Sequence, residues 1–486
     1  MDFVTSSTLL LLLASTLVHI LSLHARTKKQ NHKLPPGPSP LAIVGNIVEL
    51  SKKPQQTLAK LAITHGPIMS LKLGQLTTIV ISSIDVAKEV LQTHDLLFSN
   101  RTIPQATTVH NHNHFSLPFL PISPLWRDLR KICNTQLFSH KSLDATQELR
   151  HKKLQELLND IHRSSLIGEA VDIGSASFRT SINFLSNMFF SLDFVNSVGE
   201  TEEYKGIVDN LSRAIATPNL VDFFPLLNSV DPQGIRRRST TYMSKLFIIF
   251  DSLINKRLGL RDGTSDDMLD TLLNISQENG QKMDNEKIKH LFLDLIVAGT
   301  DTTSYTLERA MIELIQNPNA MWKVKTELAE TIGIGNPIME SDIPKLPYLQ
   351  AIIKETLRLH PSAPLLLPRK AKIDVEIKGY IIPEGAQVLI NEWAIGRDPH
   401  VWDNPNSFSP ERFLGSEIEV KGRYSHFTPF GGGRRICPGL PLAMRLLHLM
   451  LGSLINTFDW KLHNSTMNLD HMEGQPLRAF PITINK

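Results

Sequence analysis

The sequence predicts a mainly α-helical protein with small β-sheets, in which one large domain follows an N-terminal membrane segment. Apolar residues recur at helical spacing over long segments, whereas β-rich pieces are short and few. One apolar run at the N-terminus stands apart and is followed by a proline-rich stretch. With 41% hydrophobic and 20% charged residues, the 486-residue chain has the composition of a globular protein with a sizeable core.

Residues 1–24 predict a retained transmembrane helix. The apolar run Leu9–Leu23, with its weakly polar flank, comes to about 21 residues or roughly 31 Å of helix, which is enough to cross a bilayer. A cleaved signal peptide is the alternative, but such a peptide carries positive charge before its apolar run. Here Asp2 precedes the run and basic residues follow it from Arg26 onward. The positive-inside rule then leaves the rest of the chain in the cytoplasm.

Residues 25–40 predict a basic, proline-rich hinge, and residues 41–486 a single domain. Four prolines between 35 and 40 forbid a helix and stiffen the chain. Beyond them the sequence shows no low-complexity linker, long charge run or internal repeat. The net charge of +3 is too small to indicate a nucleic-acid partner. Only Cys133 and Cys437 are present, so no disulfide framework is expected and the domain should face a reducing compartment.

Helices and strands follow from the periodicity of apolar residues. Helical spacing predicts helices over residues 126–138, 142–163, 240–258, 285–316, 320–331, 348–359 and 440–458. Short β-rich pieces predict strands at Ile68–Lys72, Thr78–Ser82, Val375–Ile377 and Gln387–Asn391.

The helix predicted over 285–316 has an unusual centre. Asp284 is a candidate N-cap and Asn317-Pro318 a stop, so the helix should be about 32 residues or roughly 48 Å long. Residues 298–303 read Ala-Gly-Thr-Asp-Thr-Thr, which are mostly poor helix formers. Threonine hydroxyls bond the carbonyl four residues back, so we expect the helix to open locally here and leave room for a small molecule.

Residues 430–439, Phe-Gly-Gly-Gly-Arg-Arg-Ile-Cys-Pro-Gly, form the most informative segment of the chain. Glycines allow backbone N–H groups to approach the Cys437 sulfur closely and stabilise negative charge on it. The apolar run after Gly439 predicts a helix whose positive N-terminal end faces the same sulfur. This arrangement favours a metal-bound thiolate. The alternatives are a structural cysteine beside a turn and a phosphate loop, but the latter lacks its Gly-Lys-Ser/Thr.

The positions of Phe430, Gly433, Arg435, Cys437 and Gly439 match the cysteine loop of the cytochrome P450 superfamily, in which the thiolate is the axial ligand of haem iron. This resemblance runs from about residue 33 to the C-terminus. It implies the cytochrome P450 fold, a haem b cofactor and Cys437 as the metal ligand, with Phe430, Gly433 and Arg435 holding the cofactor.

Residues 298–303 resemble the acid–alcohol pair of the same family, with Asp301 as the acid and Thr302 as the alcohol. Oxygen activation consumes protons, and a hydroxyl supplied by a carboxylate that reaches water is a relay of that kind. A threonine-rich kink with a solvated aspartate is the alternative interpretation. The resemblance therefore implies that Thr302 and Asp301 are catalytic.

The resemblance also implies further cofactor contacts. Trp126 and Arg130 lie four residues apart on one face of a predicted helix and, with Arg369 and Arg435, match positions that meet the haem propionates. Arginine suits this task because it stays charged when partly buried and binds carboxylates in forked geometry. Each of these arginines taken singly is more often a surface residue.

Glu355, Arg358 and Arg412 match an ion cluster that the family places near the cysteine-bearing face of the haem. We expect this cluster to serve folding and cofactor retention and to take no part in the chemistry. The Glu-x-x-Arg spacing alone occurs by chance in most proteins, so the prediction depends on the position of this motif ahead of the cysteine loop in the chain.

Alternating His110, His112 and His114 raise the hypothesis of a metal site with Cys133. Alternation suits one face of a strand. However, no carboxylate or second cysteine lies nearby in sequence, and the stretch falls in a proline-rich loop. Polar residues on a loop over the pocket are the favoured interpretation.

Substrate-contact segments that vary within the family are apolar in this chain, so we expect a small lipophilic substrate bound without a salt bridge. These segments are Ile103–Phe119, Asn219–Leu227, Leu291–Ala298, Leu365–Leu367 and Gln475–Phe480. Residues 98–104 and 120–133 resemble plant microsomal members of the geraniol hydroxylase-like group, which implies a monoterpenoid or other terpenoid. Phenolic, alkaloid or foreign compounds remain alternatives. The segment between Trp460 and Pro476 is shorter than in such relatives, which alters a loop beside the pocket.

Electrons must come from a partner, since the sequence has no flavin- or nicotinamide-binding pattern. Arg127, Lys131 and Arg434 form a candidate basic docking patch, and the resemblance implies NADPH-cytochrome P450 reductase and an endoplasmic reticulum membrane. The predicted activity is that of a monooxygenase that inserts one atom of O₂ into its substrate. An isomerase or dehydratase of the same fold, a haem-binding sensor or carrier, and a zinc or structural protein are the alternatives.

Overall fold

Long helices form the core of the protein, and three small sheets lie at its edges. The computed structural model describes residues 33–50, 53–259, 267–279, 283–421, 427–463 and 476–484. The predicted membrane helix over 1–24 and the first half of the hinge lie outside the described residues, as does most of the segment between Trp460 and Pro476. The prediction of a mainly α-helical fold with small β-sheets is confirmed.

The α-helices, numbered along the described chain, are α1 (Pro54–His65), α2 (Ile84–Lys88), α3 (Pro124–Ile132), α4 (His140–Ala145), α5 (Gln147–Ile167), α6 (Ile173–Phe190), α7 (Val198–Ala216), α8 (Leu220–Phe223), α9 (Ile235–Gly259), α10 (Met268–Asn279), α11 (Asn285–Gln316), α12 (Pro318–Thr331), α13 (Pro347–Leu359), α14 (Glu392–Ile395) and α15 (Leu440–Thr457).

The strands are β1 (Ile68–Leu73), β2 (Leu76–Ile81), β3 (Asn100–Arg101), β4 (Val171–Asp172), β5 (Arg369–Lys370), β6 (Val375–Ile377), β7 (Tyr380–Ile382), β8 (Gln387–Ile390), β9 (Phe458–Leu462) and β10 (Arg478–Thr483). The largest sheet has the order β1-β2-β8-β5-β3, the next β4-β10-β9, and β6 pairs with β7. Within the first sheet β1 and β2 are antiparallel, whereas β2 and β8 run parallel. This sheet carries Arg101 and Arg369 on the paired strands β3 and β5.

The predicted elements are recovered with small shifts of their ends. The helix predicted over 285–316 is α11, which begins after Asp284, whose side chain accepts a hydrogen bond from the Lys287 N–H group. Residues 126–138 divide into α3 and a π-helical turn at Cys133–Leu137, and residues 142–163 divide between α4 and α5. The α6 helix was not predicted, and in the structure it is buried on nearly every side.

The local opening expected at residues 298–303 is wrong. Helix α11 runs unbroken through this segment, although Thr300 and Thr302 do bond the carbonyls four residues back, at 2.7 and 2.6 Å. A carbonyl oxygen has two lone pairs, so it accepts the hydroxyl in addition to its helical N–H partner. Gly299 serves packing: a Cβ there would lie 2.8 Å from Leu185 Cδ1, so glycine lets α6 approach α11 closely.

Helix α15 is an interior helix. Within the described residues, Leu440–Thr457 is the one helix long and apolar enough to cross a membrane, but 72% of it is buried inside the protein. It packs against α11, α12 and α13. Its apolar composition therefore reflects its place in the core, directly beneath the centre of α11.

Candidate active site

An internal cavity of about 350 Å³ lies between the middle of α11 and the loop that leads into α15. Its wall includes most of the residues predicted from the sequence, namely Trp126, Arg130, Thr302, Arg369, Phe430, Arg435 and Cys437. These residues come from four separate regions of the chain. Asp301 and Gly433, also predicted as site residues, lie just outside the wall.

The Cys437 sulfur is surrounded by donors. Its own N–H group donates to the Phe430 carbonyl at 2.9 Å, which closes the loop. The N–H groups of Gly439 and Leu440, at the start of α15, donate to the sulfur. Burial nevertheless raises the pKa of the Cys437 thiol, while these N–H groups and Arg130 act to lower it. A metal cation at the sulfur would supply the missing stabilisation, since a coordinated thiol is deprotonated.

Gly433 shapes the loop without lining the cavity. Its φ of +64° lies in the left-handed region, and a Cβ there would approach the Leu91 carbonyl oxygen to 2.2 Å. The loop is thereby held against the π-helical turn Glu89–Thr93. Asp95 accepts the next N–H group, from Arg434, at 3.1 Å. Glycine is required here for both its backbone conformation and its lack of a side chain.

Arg435 and Arg369 are buried beside the cavity and hydrogen bond to backbone carbonyls. Arg435 donates to the Ser99 carbonyl at 2.8 Å and to that of Leu120, and its guanidinium carbon lies 4.9 Å from the Trp126 ring centre. Arg369 donates to the Gly432 carbonyl at 3.0 Å. Burial is the main cause that lowers the pKa of each guanidinium to about 10.

Arg101 is a cavity residue that the sequence prediction missed. It is 9% exposed and lines the cavity beside the same two arginines. Burial and then repulsion from Arg369 and Arg435 lower its pKa well below the usual value. The only sequence signal was its place in the 98–104 segment, which was used for the resemblance but not for the site.

These arginines fit a dianionic cofactor. Arg101, Arg130, Arg369 and Arg435 form no ion pair with a carboxylate in the part of the chain that the structure describes. A buried charge is costly unless it is paired. The two propionates of a haem would supply the paired charges, with its iron at Cys437, so the donor set fits that group.

Asp301 and Thr302 point in different directions from α11. The Thr302 side chain faces the cavity, and its hydroxyl donates to the Ala298 carbonyl at 2.6 Å. Asp301 accepts a hydrogen bond from Ser212 on α7 and lies near Lys205 and Arg213. Burial raises the pKa of the Asp301 carboxyl, and these three neighbours act to lower it. The acid therefore lies between the cavity helix and a charged surface helix.

The rest of the cavity wall is mostly apolar, as expected for a lipophilic substrate, with Asp294 and a few hydroxyl side chains as the exceptions. Three of the predicted substrate segments contribute Leu117, Leu295 and Leu367, among others. The segment Asn219–Leu227 does not line the cavity, and neither do the described residues of Gln475–Phe480. Phe223 packs instead against the β1–β2 hairpin.

Glu355, Arg358 and Arg412 meet in a buried ion cluster. Arg358 donates to both Glu355 carboxylate oxygens at 2.7 Å, and both side chains are fully buried. Arg412 donates to Glu355 Oε1 at 3.0 Å, and the Ser409 N–H group donates to the same oxygen at 2.8 Å. Arg358 also bonds the Gly396 carbonyl at 2.5 Å. The cluster ties α13 to the loops that precede the cysteine segment.

The three alternating histidines do not share a face. They fall on two short 3₁₀ turns joined by a kink at His110 and Asn111, so the strand interpretation is wrong. His110 and His114 are exposed, whereas His112 is buried and lies 2.8 Å from His290, Nδ1 to Nδ1. No cluster of three or more potential metal ligands is found among the described residues.

The predicted docking residues are all exposed. Arg127 and Lys131 lie about 100° around α3 from Trp126 and Arg130, which line the cavity. Arg434 projects from the cysteine loop and pairs with Asp95 at 3.4 Å. Helix α3 and the loop are joined by a hydrogen bond of 2.5 Å from Arg130 to the Ile436 carbonyl.

A helical domain whose cavity is lined by one cysteine and four arginines, three of them buried, has the architecture of a haem-thiolate protein. The chain belongs to the cytochrome P450 family, whose model matches residues 35–484. It is 51% identical to the geraniol 8-hydroxylase of Catharanthus roseus over the whole of both chains. It is also 49% identical to the geraniol 8-hydroxylase of Swertia mussotii, over 97% of this chain and 94% of the relative. The drimenol monooxygenase of Persicaria hydropiper is 46% identical over 98% and 97% of the two chains.

Family membership confirms the predicted class of activity. The protein is a monooxygenase, an oxidoreductase that incorporates oxygen. Membership also implies a haem cofactor, O₂, a redox partner and a lipophilic substrate. The alternatives of a zinc protein and of a structural protein are thereby excluded.

Proposed function

We propose that the protein is a membrane-anchored hydroxylase of a small plant terpenoid, most specifically a monoterpenoid. The observation that carries this proposal is the cavity itself, which is lined by Cys437 and the arginines, by Thr302 on α11, and by mostly apolar side chains elsewhere. Such a wall suits a hydrocarbon skeleton with few polar groups. The names of the relatives add the substrate class, since geraniol and drimenol are terpenoid alcohols.

Haem b is the proposed cofactor, and each contact has a residue in place. Cys437 would bind the iron, Phe430 would cover the sulfur, and Trp126, Arg130, Arg369 and Arg435 would bind the propionates, joined by Arg101. Gly433 would set the shape of the cysteine loop. The bound haem supplies the activation of O₂, and electron donation from its thiolate ligand favours O–O cleavage.

Asp301 and Thr302 are proposed to deliver protons to the cavity. Burial raises the pKa of the Asp301 carboxyl, which makes it a better proton donor near neutrality. Its contact with Ser212 and the nearby Lys205 connects it to the α7 surface. The Thr302 hydroxyl, one residue further along, would present the proton inside the cavity.

Replacing Thr302 with alanine should uncouple oxygen consumption from product formation. We expect product per NADPH consumed to fall about tenfold or more, because one positioned proton-transfer group contributes about 10²–10⁴ in rate. The measurement compares NADPH oxidation, hydrogen peroxide and hydroxylated product with purified reductase. Thr300→Ala is the matched control, since Thr300 is buried on the same helix and does not line the cavity. Equal coupling in the two variants would contradict the proposed role of Thr302.

Product analysis with a substrate panel tests the terpenoid assignment. Microsomes containing the protein and a reductase would be incubated with geraniol, drimenol, a phenolic compound, an alkaloid and a foreign aromatic ether. Oxygenated products of the terpenoids, formed only with NADPH, are the expected result. Turnover restricted to the phenolic, alkaloid or foreign compounds would assign the enzyme to one of those classes instead. NADPH-independent rearrangement would indicate an isomerase or dehydratase, and binding without turnover a sensor or carrier.

The proposed domain plan is an anchor over residues 1–24, a hinge over 25–40 and a catalytic domain over 41–486. The anchor would hold the protein in the endoplasmic reticulum membrane, with the catalytic domain in the cytoplasm. NADPH-cytochrome P450 reductase is the proposed electron donor. Support comes from the exposed basic side chains Arg127 and Lys131, because an acidic reductase surface would be attracted to them.

Charge reversal of Arg127 and Lys131 together to glutamate should slow reduction of the enzyme by its reductase about tenfold at low salt. The loss should shrink as ionic strength rises, because exposed charges are screened. Stopped-flow reduction measures the rate, and substrate titration should give an unchanged dissociation constant. The control is the same reversal at Arg236 and Arg237, exposed at the start of α9. Equal effects at the two sites would argue against docking at α3.

A further inference from the structure

Asp294 is a carboxylate in an otherwise apolar part of the cavity wall. Among the cavity-lining residues of the described chain it is the only acidic one, and its side chain is 6% exposed. The nearest residues of α11 that also line the cavity are Leu295 and Ala298. A carboxylate in such surroundings is costly unless hydrogen bonds compensate it. Its presence therefore calls for a function that an apolar residue could not perform.

Three donors already bind Asp294, all from the loop that covers this end of the cavity. The Ser116 hydroxyl donates to Oδ1 at 2.8 Å, and His112 Nε2 lies 3.1 Å from the same oxygen. The Leu117 N–H group donates to Oδ2 at 2.8 Å. A carboxylate has about four acceptor sites. Within the described residues, one site on Oδ2 is left on a side chain that lines the cavity.

A pair of buried histidines adjoins this carboxylate. His112 Nε2 lies 3.1 Å from Asp294 Oδ1, and His112 Nδ1 lies 2.8 Å from His290 Nδ1. The ring centres of Phe115 and Phe247 each lie 4.8 Å from the ring centre of His290. Burial is the main cause that lowers the pKa of His290 to about 3, so its ring is neutral. The pair thus places one donor, the Nε2–H group of His112, at Asp294 from the covering loop.

We propose that Asp294 accepts a hydrogen bond from a hydroxyl group of the substrate and so selects terpenoid alcohols. This inference rests on the proposed function and specifies its substrate class. Asp294, Ala298 and Thr302 follow one another at four-residue spacing, so they lie along one side of α11. Eight residues of helix separate the proposed anchor from Thr302 by about 12 Å. An extended alcohol held at Asp294 would therefore be oxidised at the end remote from its hydroxyl group.

The test compares geraniol with its methyl ether, which keeps the carbon skeleton and loses the O–H donor. Full-length holoenzyme is titrated with each compound by the substrate-induced shift of the Soret band, and products are analysed after turnover with reductase. We expect geraniol to bind about tenfold more tightly than the ether, because hydrogen bonds to charged groups are among the stronger ones. Oxidation of geraniol should occur mainly at the remote end of the chain.

Asp294→Asn should lower the alcohol-to-ether affinity ratio and spread the oxidation over several carbons, because a neutral amide oxygen is a weaker acceptor than a carboxylate. Ser116→Ala is the matched control, because it removes a loop donor but leaves the carboxylate in the cavity. If Asp294 served only to hold the loop, both substitutions would weaken the binding of both compounds equally and leave the affinity ratio unchanged. That result would overturn the inference.

If Asp294→Asn fails to retain haem, the wild-type protein alone still tests whether the substrate hydroxyl group is bound. A ratio near one, with both compounds oxidised, would overturn the hydroxyl anchor while leaving the proposed terpenoid hydroxylase intact. Absence of binding and turnover with either compound would instead refute the proposed substrate class, and the anchor with it.

Discussion

Replacing Cys437 with alanine is expected to abolish product formation and the red-shifted Soret band of the reduced carbon monoxide adduct. That band requires an anionic sulfur ligand on the haem iron, which Cys437 would supply, and the Gly439 and Leu440 N–H groups donate to its sulfur. The four arginines remain in the variant, so some haem can still bind. The measurements are the difference spectrum of the dithionite-reduced protein, its haem content and its turnover with reductase.

The chain supplies its own control for this experiment. Cys133, its only other cysteine, is fully buried in the π-helical turn after α3, where burial raises the pKa of the thiol to about 12. Cys133→Ala removes the same sulfur atom from a packed site, and such a substitution should lower the free energy of unfolding by about 1 kcal/mol. It should keep the red-shifted band. Loss of the band in this variant with its retention in Cys437→Ala would reverse the proposed assignment of the ligand.

The sequence predicted the elements around the site because their signals are local. Helix α11 has a capping aspartate at one end and Asn317-Pro318 at the other, so its bounds could be assigned before any tertiary contact was known. The cysteine loop was equally clear, because glycines at fixed distances from Cys437 constrain the backbone directly. Elements of this kind depend on residues that are close together in the chain.

Other features could not be predicted because they depend on contacts between distant segments. Helix α6 is buried on nearly all sides, against neighbours that are distant in the chain. Gly299 in the sequence resembles a helix breaker, yet in the structure it accommodates Leu185 of that unpredicted helix. Arg101 joins the cavity only because β3 pairs with β5, which brings it next to Arg369. The same holds for Asp294, whose partners come from a loop some 180 residues earlier.

The second large effect is expected from Glu355→Ala, which should yield protein that lacks haem. The substitution leaves Arg358 fully buried without its carboxylate, and removal of one partner from a buried pair costs about 3–5 kcal/mol. Globular domains are stable by only about 5–15 kcal/mol, so this loss is a large part of the total. Arg358 would keep its bonds to the Gly396 and Pro405 carbonyls. Those contacts bind the cation but do not neutralise it.

Haem content and the thermal unfolding temperature distinguish a structural from a catalytic role for this cluster. Glu203→Ala is the matched control, because Glu203 pairs with Lys245 at 3.2 Å on the surface, where both side chains are about half exposed. Exposed pairs contribute under about 1 kcal/mol, so this variant should keep its haem and its unfolding temperature. A Glu355→Ala protein with full haem content but slow turnover would contradict the structural assignment. Because Glu355 also binds Arg412 and the Ser409 N–H group ahead of the cysteine loop, the loss should appear first as failure to retain haem.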